Sequence, residues 1–207
     1  MDAKEQLNII KRIKAIAETG LVFAEGGYDR ERYQELREIS LKLMAKLANQ
    51  PLADLKGFFV PQEDYPTPKV DVRGFVLNEK DEILMARESV DGKWTIPGGW
   101  ADVGISPREV AIKEIKEETG LDTKIMRLVA VYDKQRHLHP PEPLYVYKLI
   151  FHCKVIVGEL CPGFDMRGAN WFALNRLPPL SEDRILESQL HHLFGLVKEN
   201  IQDAYTD

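Results

Sequence analysis

The chain has 207 residues, 44% hydrophobic and 29% charged, the texture of an ordinary globular protein with room for one domain and a small accessory. A formal net charge of −5 argues against a wide nucleic-acid or anionic-membrane surface, while leaving room for a local basic pocket. No apolar run reaches the roughly 20 residues of a membrane span; the charged N-terminus does not read as a signal peptide, and the 2 cysteines, in no CxxC or metal-knuckle spacing, read as reduced thiols of a cytoplasmic protein.

Residues 5–49 read as two helices. Leu7, Ile10, Ile13, Ile16 and Ala17 recur at three- and four-residue intervals until the glycines at 26–27, and Tyr33, Leu36, Ile39, Leu43 and Leu47 form a second stripe closed by Pro51. Such a helical hairpin buries its stripes in a core, against a second copy as a dimer, or both. A proline-marked connector follows, with Pro61, Pro66 and Pro68, where fixed φ blocks helix. The texture then turns to strand: "KVDVRGFVLN" and "EILMAR", later "MRLVAVYDK", "YVYKLIFHCKVIVG" and "ANWFAL". One strong helix separates the early strands from the late ones, and a final helix is expected from "LSEDR" onward.

The helix between the strands is the most informative segment. Ser106 with Glu109 is a capping box, Pro107 suits the first helical position, and Gly120 suits the residue after the last. At about 100° per residue, Glu117 lies roughly 60° to one side of Glu114 and Glu118 roughly 40° to the other, so the three carboxylates share a face. Ala111, Ile112 and Ile115 form the anchoring face beside it. Like charges so placed destabilise a helix by a few tenths of a kcal/mol per pair. A solvated acidic face is one reading. The other is a set of hard oxygen ligands for Mg²⁺ or Mn²⁺, which would remove the repulsion and serve phosphate chemistry. The glycine pair 98–99 just ahead leaves room for close backbone approach.

This segment resembles the Nudix box, Gly-x5-Glu-x7-Arg-Glu-U-x-Glu-Glu-x-Gly-U with U aliphatic. Gly99, Glu114, Ile115, Glu117, Glu118, Gly120 and Leu121 match at the required spacing, and "WTIPGG" ahead of it is also typical. Two positions depart, Ile105 for the first glutamate and Lys113 for the arginine. The resemblance covers residues 68–200 and implies an α/β fold, an α/β/α sandwich with a mixed sheet, over residues 65–207. The small helical N-terminal domain, residues 1–64, resembles the extension of a subgroup acting on nucleoside diphosphates linked to another moiety, and is expected to help form a homodimer. "GGWADVG", "VYDKQRH" and "LPPLSEDRI" resemble that subgroup as well.

The resemblance assigns the metal to Glu114 and Glu118, with Glu117 as a further or water-mediated ligand and the Gly98 carbonyl as a backbone one. Lys113 offers only a point charge where arginine would grip a box glutamate in planar, bidentate fashion. For the general base, Glu117 is the candidate inside the box, and Glu182 or Asp183 are candidates outside it, against a helix-capping role for the Ser181 segment. Trp94 and Trp100 are candidates for base stacking, with core packing as the alternative. Asp133, Lys134, Arg136 and His137 cluster on one loop, where the cations suit diphosphate oxygens, and Arg73 is a further diphosphate candidate. The expected reaction is Mg²⁺-dependent hydrolysis of a nucleoside diphosphate linked to X, with CDP-choline first and ADP-ribose next. An RNA-end hydrolase and a catalytically silent nucleotide sensor are the rival classes.

Overall fold

The computed structural model describes residues 2–49, 51–54, 59 and 65–207. Pro61 and residue 64, where the predicted connector and domain boundary fall, lie outside them. The chain divides into two units, residues 1–68 with 141–145, and residues 69–140 with 146–207.

In the first unit, α1 (Ala3–Phe23) starts where the Asp2 side chain accepts the Glu5 N–H at 2.7 Å, and α2 (Gly27–Ala48) ends on Asn49 in the left-handed conformation. Leu7, Ile10 and Met44 make their shared core. Glu18 is buried between the helices, 2.6 Å from Lys14 and 3.3 Å from Arg37, and Gly20 lies against the Tyr33 ring. Within one chain these contacts bury only part of the predicted stripes. On α2 the buried residues are Ser40, Leu41, Met44 and Ala45, while Ile39 and Leu43 are exposed; on α1, Ile16 is exposed with Ile9 and Phe23. The Glu18–Arg37 pair and the close approach at Gly20 fix which side of α2 turns inward, and hydrophobic spacing alone does not encode that.

The second unit carries β1 (Lys69–Val76), β2 (Ile83–Glu88), β3 (Trp94–Thr95), β4 (Gly98–Trp100), α3 (Pro107–Thr119), β5 (Asp122–Asp133), β6 (Val146–Val157), β7 (Met166–Phe172), α4 (Glu187–Lys198) and β8 (Tyr205–Thr206). A mixed sheet runs β4-β1-β6-β5-β8, with β1 parallel to β6, and an antiparallel sheet runs β3-β2-β7. Side chains alternate along β1. Val72 and Val76 meet Val110, Ala111 and Ile115 of α3, whereas Phe75 joins Leu190, Leu193 and Leu196 of α4. The two cores make the expected α/β/α sandwich. The predicted loop before the box is strand at Gly98–Trp100, paired antiparallel to β1. The predicted start of the last helix at "LSEDR" is also corrected. Ser181 caps no helix: the Arg184 and Ile185 N–H groups close a turn on its carbonyl, its Oγ donates to Asp91 at 2.7 Å, and α4 begins at Glu187.

Candidate active site

Helix α3 forms as its sequence dictates. Glu109 and Ser106 exchange the capping-box bonds, Pro107 opens the helix, and Gly120 closes it at φ 80°. A Cβ on Gly120 would also stand 2.9 Å from Cys161 and from the Glu159 carbonyl, so glycine serves both conformation and packing there. This fixes the axial position of three glutamates whose surroundings differ sharply. Glu118 is 5% exposed, and its Oε2 accepts the Gly98 N–H at 3.2 Å. Glu114 is half-buried, with its carboxylate against Gly99, where a Cβ would lie 2.9 Å from Oε2. Glu117 faces solvent. Gly98 adopts φ 147°, and a side chain there would run into the Val72 carbonyl of β1. The two glycines thus let β4 lie flat on β1 and let two carboxylates lie on β4.

Burial dominates the acidity of these groups. It pushes Glu118 up to about 8, with the Arg73 charge pulling it down and Glu114 pushing it further up. Burial raises Glu114 as well, against the charge of Lys113. Two desolvated carboxylates side by side form an electrostatic deficit that a cation would fill.

Arg73 stands beside them on β1, 6% exposed, with Nε 2.9 Å from Asp71 and Nη1 donating to the Ile96 carbonyl at 3.2 Å. Asp71 in turn contacts the ammonium of Lys148, its direct neighbour across the β1–β6 ladder. Burial opposes ionisation of Asp71, but the Arg73 and Lys148 charges outweigh it and hold the carboxyl below the usual range. Burial pulls Lys148 down to about 8, with the Asp71 carboxylate working against it. Glu88 completes the surroundings, 2.7 Å from Arg184, which also donates to Ser181 Oγ at 3.1 Å.

Lys113 lies 3.1 Å from Asp102 and 3.8 Å from both Glu114 and Glu117. Lys113 thus pairs most closely with a loop carboxylate three residues before Ile105. Trp94 is half-buried, packed edge-on against Phe172 at 4.7 Å, which is the core-packing alternative; Trp100 is 51% exposed opposite Asp71. Within the 133–139 segment, Lys134–Arg136 form a short 3-10 turn capped by Asp133, with Lys134 buried, Arg136 exposed and His137 bound to Asp207. Buried His139 lies 2.6 Å through Nδ1 from the Glu182 carbonyl, and burial lowers it to about 4. Glu182 and Asp183 are exposed; Glu182 lines a surface pocket with Leu177, Glu187 and His191 and no box residue.

Gly98, Glu114, Glu118 and Arg73 are therefore brought together, while Glu117 and Glu182 are both exposed. Among the described residues, no three acidic, histidine or cysteine side chains are gathered as a finished cation site. The donor chemistry still suits a hard divalent cation, since Glu114 and Glu118 are desolvated oxygen donors of raised pKa. Asp71, Lys148 and Glu88 escaped the sequence reading, although charges inside the apolar runs "KVDVRGFV" and "YVYKLIF" were a usable signal. Asp102, Arg184 and His139 carried no such mark.

Two family profiles match the chain: one described as "UDP-X-like, N-terminal oligomerisation domain" over residues 4–59, and one described as "NUDIX domain" over residues 67–193. The Bacillus subtilis protein YjhB, provisionally named an ADP-ribose pyrophosphatase, is 43% identical over 188 residues, covering 91% of this chain and 90% of its own. The ADP-ribose pyrophosphatase of Methanocaldococcus jannaschii is 36% identical over 124 residues, 58% of this chain and 70% of its own. Among solved structures, a UDP-X diphosphatase aligns over 100% of both chains with a TM-score of 0.64 and 31% identity. An ADP-ribose pyrophosphatase of Streptococcus suis aligns over 68% of this chain and 100% of its own, with a TM-score of 0.62 and 35% identity.

Proposed function

Because the chain belongs to the Nudix hydrolase family, we propose that this pyrophosphatase cleaves the diphosphate of a nucleoside diphosphate linked to a second group, X, with Mg²⁺ or Mn²⁺ as cofactor. Water adds to one phosphorus, the bond to the bridging oxygen breaks, and the products are a nucleoside monophosphate and phospho-X. The observation that carries this reading is the convergence of Glu118 and Glu114 on the Gly98–Gly99 strand beside the buried charge of Arg73. ADP-ribose leads the candidates, since relatives spanning most of this chain carry that name; UDP-linked and CDP-linked compounds, CDP-choline among them, follow.

Glu114 and Glu118 would hold the cation, with Glu117 and the Gly98 backbone as outer donors. When bound, a divalent ion supplies positive charge for the phosphoryl oxygens and acidity for water. The protein's own groups do the rest. The Gly98 N–H orients the Glu118 carboxylate, and Arg73, anchored by Asp71, keeps a fixed positive charge next to it. Glu117, exposed and 3.8 Å from Lys113, is the base candidate within reach of solvent. Trp100 offers an open aromatic face to a nucleobase, and the exposed Arg136 offers a cation to the diphosphate. The N-terminal helices are proposed to join two copies of the chain as a homodimer, in keeping with the oligomerisation profile they match.

The test is phosphate release, coupled to a phosphatase, from ADP-ribose, UDP-sugars, CDP-choline, NADH and diadenosine polyphosphates with Mg²⁺ or Mn²⁺. Metal-dependent turnover of one class, lost in Glu118→Gln, is the expected result. Nucleotide binding with no turnover anywhere would show a sensor instead and overturn the proposal.

A further inference from the structure

Strand β5 runs into the 133–139 segment, and a stretch from far along the chain is fastened onto it. β8 pairs in parallel with the end of β5, Ala130 opposite Tyr205 and Val131 opposite Thr206. That register delivers the Asp207 side chain to the start of the segment. Its Oδ2 accepts the Asp133 N–H at 2.6 Å, and its two oxygens lie 3.1 and 3.2 Å from His137 Nε2. Asp207 therefore touches the residue before the 134–136 turn and the residue after it. Aromatic packing holds the strap in place: the Tyr205 ring lies 4.6 Å edge-on to His192 and 5.8 Å from Tyr132, whose hydroxyl is 2.9 Å from His192 Nδ1. The Tyr132 ring in turn lies 4.8 Å from His137. Although β8 itself is exposed, the Asp207 side chain is only 8% exposed. A carboxylate so enclosed is held by its partners and in turn holds them.

We infer that Asp207 is a positioning residue for substrate binding, fixing the 134–136 turn so that the exposed Arg136 stands ready for the anionic diphosphate. This rests on the pyrophosphatase reading above. Asp207 touches no reacting atom; it spares the complex the ordering of a cationic loop. Its loss should weaken binding of ground state and transition state alike, which raises KM and leaves kcat in place.

The experiment compares wild type, Asp207→Ala and Asp207→Asn as full chains, on the panel substrate that wild type turns over fastest. Asp207→Ala should raise KM about tenfold with kcat within about twofold. Asp207→Asn keeps an acceptor for the Asp133 N–H and should recover part of the loss. Hydrogen exchange of amides 133–139 should quicken in Asp207→Ala while exchange in α3 stays unchanged. A role confined to stability would instead lower the melting temperature and the active fraction at unchanged KM, and that result overturns the inference. So does an unchanged KM in both variants. Silence of wild type on the whole panel would sink the parent reading and this one with it, and is recognisable because wild type itself is then inactive.

Discussion

Glu118→Gln separates what the box glutamate costs the fold from what it gives to chemistry. Burial lifts its carboxyl from the ordinary 4.5 to about 8. The unfolded chain releases that proton near 4.5, whereas the folded chain keeps it until about 8, so this group makes stability fall as pH rises through that window. At about 1.4 kcal/mol per pH unit, the full span is worth on the order of 5 kcal/mol. Glutamine has an oxygen for the Gly98 N–H and does not titrate. Metal-free Glu118→Gln should therefore be more stable than wild type by about 2–4 kcal/mol at pH 8, and by less than about 1 kcal/mol at pH 5. Urea denaturation in EDTA at pH 5, 6.5 and 8 measures this. Trp94, Trp100 and Trp171 all lie in the unit of residues 69–140 and 146–207, so intrinsic fluorescence follows that unit. Adding Mg²⁺ should stabilise wild type and leave the variant unchanged, and the variant should be inactive. A gap independent of pH, or a variant weaker than wild type at pH 8, refutes the electrostatic argument.

Asp71→Asn leaves the Arg73 and Lys148 cations buried without their counter-charge and should destabilise the same unit by about 3 kcal/mol or more in urea titrations. A loss under about 1 kcal/mol would mean that the pair is not desolvated. The two glycines should part company. Gly98→Ala meets both its φ and the Val72 carbonyl and should cost several kcal/mol or prevent folding, whereas Gly99→Ala meets the Glu114 carboxylate and should reduce activity far more than melting temperature. Ile9, Ile16 and Phe23 recur every seven residues on the exposed side of α1, so Ile9→Glu with Ile16→Glu should shift the chain to monomer in light scattering. A dimer that survives both substitutions would place the interface elsewhere.

Helix α3 was legible because everything that starts, stops and spaces it is local. Ser106, Pro107, Glu109 and Gly120 act over three or four residues, and the box spacing puts its glutamates on a common side. The β1, β2, β5, β6 and β7 segments followed in the same way from their alternation. What the three glutamates do was not local. Glu118 is buried because Gly98, 20 positions earlier, presents its N–H, and Arg73 is anchored by an Asp71 that in turn meets Lys148, 77 positions away. Asp207 reaches Asp133 across 74 positions, on a strand too short to show any periodicity. Trp94 and Trp100, six residues apart and alike in sequence, were assigned to core and surface only by which strands lay against them. Helix period and caps are properties of neighbouring residues; burial, and with it acidity and charge pairing, is a property of what the rest of the chain brings alongside.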